Sequence, residues 1–251
     1  MNTPDTSTLA EQAMHSWYLS SRHDFIVNLA AKALAGRNPA DCRILDAGCG
    51  SGGVTTRLLR KGYNVVACDM DEESIRQGLA TGRLKDVHRL DVAQLPFEDN
   101  SFDLVVCSEV LEHVPDDAQA LRSLLRVAKR DVLFSVPAHM YLWTQSDTTL
   151  GHRHRYSKAD VRALIGKAGA GIVKVHAYGI MPAAGTLAYK ALSKPPQQTN
   201  EQDVPNAMKF RVPPAIDKML WALSSLELSA SGLGLVPWGF AWWAIARKIP
   251  A

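Results

Sequence analysis

Two short runs carry most of the chemistry open to this chain. The first is Leu45-Asp46-Ala47-Gly48-Cys49-Gly50-Ser51-Gly52. Glycines at alternate positions let backbone N–H groups approach a ligand closely, which larger side chains would prevent. Asp46 stands just before the turn, where a carboxylate can meet a cationic amino group. Asp69 follows 23 residues later, and Asp91 further on. Acids at such offsets, each at the end of a strand, can accept from the hydroxyl and amine groups of a nucleotide-like ligand. The second run is Glu109-Val110-Leu111-Glu112-His113. If 109–113 form one helical turn, Glu109, Glu112 and His113 stand at i, i+3 and i+4 on one face. Two carboxylates and an imidazole there can ligate a divalent cation.

A third segment, 135–156, lies beyond a strand ending at Pro137 and is rich in aromatic and basic residues. Loops past the carboxyl ends of parallel strands line the ligand crevice. His152 and His139 are candidate general bases, and Asp147 could orient either. Arg153 and Arg155 can pair with a phosphate or carboxylate of an acceptor. They can equally brace the loop through salt bridges. Trp143 and Tyr156 from this loop, with Trp17 and Arg22 near the N-terminus, complete the candidate acceptor-facing set.

These residues need a frame, and the hydrophobic pattern supplies one. Apolar residues at helical spacing predict a helix within 13–36, ending near Gly36. Strands are expected at 43–46, 64–69, 87–90, 102–107, 131–136 and 171–178. Helices are expected at 53–61, 72–80, 117–128 and 157–167, the last with Ser157 as its N-cap. Continuous apolar strands alternating with helices argue for a parallel sheet covered on both faces. Residues 180–237 break the rhythm with a polar stretch, Ser193–Pro205, read as a mobile loop, and an apolar helix near 215–228. A last strand is expected over 239–248. The organisation is therefore an N-terminal tail and cap helix (1–36, with 1–12 disordered), a core (37–179), a helical insertion that covers the substrate or merely adds packing (180–237), and a closing strand (238–251).

The run Leu45–Gly52, with Asp69, with Asp91-Val92-Ala93-Gln94-Leu95-Pro96-Phe97 and with Asn100-Ser101-Phe102-Asp103-Leu104-Val105, resembles the cofactor core of class I S-adenosylmethionine (SAM) methyltransferases. The resemblance spans about residues 40–180. It implies a Rossmann-like α/β fold with a seven-stranded sheet whose last strand is antiparallel. It also implies SAM contacts at Asp46, Gly48, Gly50, Gly52, Asp69, Met70, Asp91, Val92 and Ser108. Met70 would pack on adenine, or simply fill core. A dinucleotide dehydrogenase is the competing reading, but it expects Gly-x-Gly-x-x-Gly and lacks the Leu-Pro-Phe and Ser-Phe-Asp segments.

Glu-x-x-Glu-His after the fourth strand is similar to two metal-dependent O-methyltransferase groups, acting on the ubiquinone-precursor ring and on the terminal ribose of small RNAs. That likeness implies Glu109, Glu112, His113 and a second histidine, best matched by His152, around Mg²⁺ or Mn²⁺. A metal-free site with a structural Glu-His pair stands beside it. The segment Trp143-x(3)-Asp147-x(3)-Gly151-His152-x-x-Arg155-Tyr156 resembles bacterial methyltransferases of small-molecule, glycan and lipid pathways, as does Trp17-Tyr18-Leu19-Ser20-Ser21-Arg22-His23. The leading expectation is O-methylation of a small hydroxylated acceptor (aryl, polyketide, lipid or glycan-linked). Metal-free N- or C-methylation, or a SAM-binding accessory subunit, are the alternatives.

Bulk properties narrow the partners. The chain has 251 residues and a net charge of +3, so a nucleic-acid partner is not expected. Cys42, Cys49, Cys68 and Cys107 form no Cys-x-x-Cys pair and read as reduced core thiols, which suits a cytoplasmic protein. No run is long enough for a membrane span, although peripheral membrane contact is compatible with the apolar insertion. A monomer or homodimer is expected.

Overall fold

The computed structural model describes residues 17–192 and 214–249. The expectations for 1–12 and for Ser193–Pro205 lie outside the described residues. Helix α1 (Trp17–Ala33) leads into β1 (Arg43–Ala47), α2 (Gly53–Arg60), β2 (Asn64–Asp69), α3 (Glu72–Ala80), β3 (Val87–Arg89) and β4 (Phe102–Ser108). Then come α4 (Asp117–Val127), β5 (Ala128–Pro137), the short α5 (Gln145–Thr149), α6 (Lys158–Lys167) and β6 (Ala170–Tyr178). Helices α7 (Ile180–Leu192) and α8 (Pro214–Gly232) precede β7 (Ala241–Lys248). The strands form one seven-stranded sheet in the order β3-β2-β1-β4-β5-β7-β6. Strands β1 to β5 pair in parallel, and β7 runs antiparallel between β5 and β6, as the resemblance implied.

Alternation along β4 shows why the sheet is buried on both sides. Val105 and Cys107 join the core with α4 and α6, where Leu121, Leu124 and Ile165 pack. Leu104 and Val106 join the opposite core, with Phe25, Ile26 and Leu29 of α1, Val54 and Leu58 of α2, and Trp243 of β7. A period of two with both phases apolar demands a layer of helices on each face. Local signals set the helix boundaries. Asp71 accepts from the N–H groups of Glu73 and Ser74 to open α3, and Ser157 with Asp160 forms a capping box at α6.

Two extensions beyond the core meet one another. Helix α1 packs on α8, where Ser21 Oγ and Ser224 Oγ share a buried hydrogen bond of 2.9 Å. Asp24 of α1 pairs with Arg57 of α2 at 2.8 Å, and Glu227 of α8 accepts from the N–H groups of Gly179 and Ile180 at the start of α7. The cap and the insertion therefore share one interface on the same face of the sheet.

Asp103 interrupts the apolar run of β4 for a structural reason. It accepts from the Arg43 N–H, Arg37 and Lys129, each at 2.8 Å, and so ties β1, β4 and β5 at their amino ends. Burial raises its pKa, but Lys129, the Arg43 N–H and Arg37 outweigh burial and hold it at about 2. The folded value is depressed, so its stabilisation is full above the ordinary 3.8 and lost as pH falls through about 2. Asp103→Asn should lower stability at pH 7 by about 1–3 kcal/mol, read by urea unfolding. It should also flatten the stability–pH curve between 3.8 and about 2; an unchanged acid limb would refute the assignment.

Candidate active site

The floor of the site is the turn from β1 to α2. Gly48, Gly50 and Gly52 all take positive φ, at 77°, 52° and 88°. A side chain on Gly48 would run into Val110 Cγ2, and one on Gly52 into Leu84. At Gly50 no protein atom lies within 4 Å of the position a Cβ would take. That glycine leaves space rather than filling it, which suits a ligand lying across the turn. Asp46, 2% exposed, accepts from Thr55 Oγ1. Burial pushes its pKa up to about 6, against the hydrogen bond from Thr55.

The other cofactor candidates line the neighbouring strand ends. Asp69 accepts from the Gly50 N–H at 2.7 Å through one oxygen and from the Asp71 N–H at 2.9 Å through the other. It therefore braces the glycine turn from β2. Met70 is 56% exposed, so the core-filling reading is excluded. Asp91 accepts from the Ala93 N–H at 2.8 Å and caps a short 3-10 turn, in which Val92 is buried. Ser108 Oγ lies 2.9 Å from Ser135 Oγ across β4 and β5.

Beyond β4 the helical turn expected over 109–113 does not form. Glu109 has φ 58°, and only Leu111–His113 make a 3-10 turn. That left-handed residue turns Glu109 away from the face of Glu112 and His113. Its carboxylate accepts from Ser135 Oγ at 2.8 Å and Tyr178 OH at 3.2 Å, and faces Arg22 at 3.6 Å. The ligating atoms of Glu112, His113 and His152 instead lie within 4.8 Å of one another. Both oxygens of Glu112 are buried without a hydrogen-bond partner, and Oε1 is 4.0 Å from Nε2 of each histidine. Burial, then the charge of Glu109, pushes the Glu112 pKa well above its ordinary value. Burial and the neighbouring His152 lower that of His113.

The loop after β5 presents one of these groups and locks others away. Asp147 is 1% exposed and closes a capping box with Thr144 at α5. It meets His152 Nδ1 at 2.8 Å and accepts from Arg155 Nε at 2.7 Å. Burial opposes its charge, but these two hydrogen bonds prevail and hold its carboxyl well below the usual range. The expectation that Arg155 meets an acceptor anion is corrected: it is 3% exposed, donates also to the Ala138 carbonyl and lies over the Phe240 ring. Tyr156 is likewise withdrawn, 2% exposed and donating to Asp117. Arg153 stays exposed, its Nε on the His113 carbonyl. Trp143 donates to Thr148 Oγ1 at 3.3 Å. His139 takes φ 61°, stacks on Tyr141 and keeps a buried, unpartnered Nε2.

Helix α1 closes the site from above. Arg22 reaches Glu109, while the N–H of Trp17 donates to Asp217 of α8. His23 packs against Gly53, and burial with Arg22 and Arg57 lowers its pKa to about 3. Tyr18 OH, Arg22 Nε, His23 Nδ1, both Glu112 oxygens and His139 Nε2 are all buried without partners. Unsatisfied buried polar atoms cost free energy and are scarce in folded proteins, so a set of them at the carboxyl side of the sheet marks a ligand chamber. Thr55, Ser135 and Tyr178 escaped sequence reasoning. A hydroxyl nine residues after Asp46, or at the ends of β5 and β6, carries no motif.

The glycine turn supplies a direct test. Gly50→Ala should fold, with its melting temperature lowered by a few degrees for the left-handed φ. Its SAM affinity by titration calorimetry should fall by about tenfold or more, because the added methyl enters the open space. Wild-type affinity in this variant would rule out a ligand across the turn.

Residues 45–136 match a family described as the methyltransferase domain. The ubiquinone biosynthesis O-methyltransferase of Hahella chejuensis is 40% identical over 121 residues, 45% of this chain and 48% of that protein. The enzyme of the same name from Bordetella parapertussis is 37% identical over 100 residues, 37% of this chain and 42% of its own. The chain thus spans about half the length of the curated relatives it matches. A SAM-dependent methyltransferase from Archaeoglobus fulgidus superposes with a TM-score of 0.57 over 93% of this chain and 95% of that one, at 16% identity. Sheet order, glycine turn and family match agree, and residues 45–136 match the methyltransferase domain within a seven-stranded sheet of the same fold as that structure.

Proposed function

We propose that this protein is a SAM-dependent O-methyltransferase of a small hydroxylated acceptor, with a divalent cation, Mg²⁺ or Mn²⁺, at Glu112, His113 and His152. The observation that carries the proposal is Glu112, a carboxylate buried with neither oxygen bonded and facing two imidazole nitrogens at 4.0 Å. A buried carboxylate without partners is costly, and a cation between it and two histidines removes that cost. The relatives' names support oxygen as the methylated atom.

Bound SAM would supply an electrophilic methyl group on a sulfonium centre. The cation would polarise an acceptor hydroxyl and lower its pKa. The chain's own part is positioning. Asp46, Gly48, Gly50, Gly52, Asp69, Met70 and Asp91 would hold the cofactor along the carboxyl edge of β1 to β3, with Val92 and Ser108 beside it. Asp147 accepts at His152 Nδ1, so the Nε2 lone pair faces Glu112; a carboxylate behind a histidine fixes its tautomer and ring orientation. Arg155 holds Asp147 ionised for that role. Helix α1, through Arg22 and Trp17, would exclude water above the acceptor.

The Asp147–His152 contact also supports a metal-free reading, in which His152 Nε2 takes the acceptor proton. The two readings differ in metal binding. Mn²⁺ titrated into the protein should give an electron paramagnetic resonance signal of bound metal, which His113→Ala and Glu112→Gln weaken by at least about tenfold. EDTA should abolish methyl transfer to a catechol acceptor, and Mg²⁺ or Mn²⁺ should restore it. Turnover indifferent to EDTA, with no Mn²⁺ bound, would leave His152 as a base and overturn the metal centre.

Asp147→Asn separates orientation from structure. Loss of the carboxylate should lower kcat about tenfold to a hundredfold, with SAM affinity unchanged. Equal losses in kcat and SAM affinity would indicate a collapsed loop instead.

A further inference from the structure

Helix α8 leaves an apolar row open to water on the side away from the core. Its inward side presents Ser224, Leu228 and Ser231, none more than 4% exposed. These serines are satisfied: Ser224 pairs with Ser21, and Ser231 Oγ donates to the Ala177 carbonyl at 2.6 Å while accepting from Trp243 Nε1 at 2.8 Å. Its outward side presents Met219, Leu223 and Leu226 at i, i+4 and i+7, from 48% to 71% exposed. On α7, Tyr189 and Leu192 are 65% and 85% exposed, and Ala183 is its one buried residue among the described residues. An amphipathic surface helix turns its apolar side to the core and polar residues to water, so an exposed apolar row of this kind marks a contact.

The charges on these helices identify the contact. Both acids of α8 are turned to backbone N–H groups, Asp217 to Trp17 and Glu227 to Gly179 and Ile180. The remaining charged side chains of the two helices are the exposed lysines Lys218 and Lys190, the latter also donating to the Tyr141 and Trp143 carbonyls. Methionine, leucine and tyrosine flanked by lysine, with no free acid on these helices, match the boundary between anionic headgroups and acyl chains. A second copy of the chain would meet the same lysines and offer these helices' lysines no free acid. No helix among the described residues is long and apolar enough to cross a membrane, so the contact is peripheral.

We propose that the outward face of α7 and α8 docks on the surface of an anionic lipid bilayer. The surface uses no residue of the cofactor turn or the metal cluster, so the docking and its test depend on neither SAM nor metal. Wild-type protein should co-sediment with phosphatidylglycerol vesicles and much less with phosphatidylcholine vesicles. The double variant Leu223→Ser, Leu226→Ser should lose binding by about tenfold or more, since each side chain buries apolar area in the acyl boundary. Its thermal unfolding and SAM affinity should stay at wild-type values. Lys218→Glu should weaken binding to phosphatidylglycerol alone. Absence of wild-type binding, equal binding to both lipids, or a double variant that binds like wild type would each overturn the proposal. So would a homodimer, seen by sedimentation velocity, that the double variant dissociates and that ignores vesicles.

Discussion

The carboxylate of Asp147 is the point on which the acceptor side of this molecule hangs. One buried acid closes α5, receives Arg155 and meets His152 Nδ1. Each contact would be weak on an exposed loop, but burial strengthens them together. The result is a loop whose backbone is tied down and whose His152 imidazole looks toward Glu112. Arg155, which by type suits an acceptor anion, is spent on holding that acid ionised.

Strain gathers where strands end and chemistry could begin. Glu109 after β4 and His139 after β5 are non-glycine residues at positive φ. Such conformations cost about 1–3 kcal/mol each and persist only where surroundings enforce them. For Glu109 the enforcing contacts are Ser135, Tyr178 and Arg22, drawn from β5, β6 and α1. The site is therefore assembled from elements far apart in sequence, and the cap helix is part of it. Because α1 also packs on α8, the cap is continuous with the apolar face that we assign to lipid.

Much of the fold was legible in the sequence. Runs such as Asn64–Asp69 and Phe102–Ser108 are apolar in both phases, so they had to be strands buried on both faces. Asp71 and Ser157 announced α3 and α6 through side-chain caps. Gly48, Gly50 and Gly52 stand at the left-handed positions their type suggested. The site was legible where one local motif sufficed and blurred where it did not. A helical turn over 109–113 was the natural reading of Glu-x-x-Glu-His, yet the hydrogen bonds of Ser135 and Tyr178 pull Glu109 out of it.

By itself, then, the sequence determined the alternation of strands and helices, the glycine turn and the choice of acids and histidines. Those depend on local spacing and on residue type. Only the tertiary structure decided which groups meet: Glu112 with His113 and His152, Glu109 with Arg22, and Arg155 withdrawn onto Asp147. Only it showed Ser224 and Ser231 of α8 inside and Leu223 and Leu226 outside. Partners distant in sequence compete for the same charged group, and burial decides the winner by setting the cost of each one left unpaired.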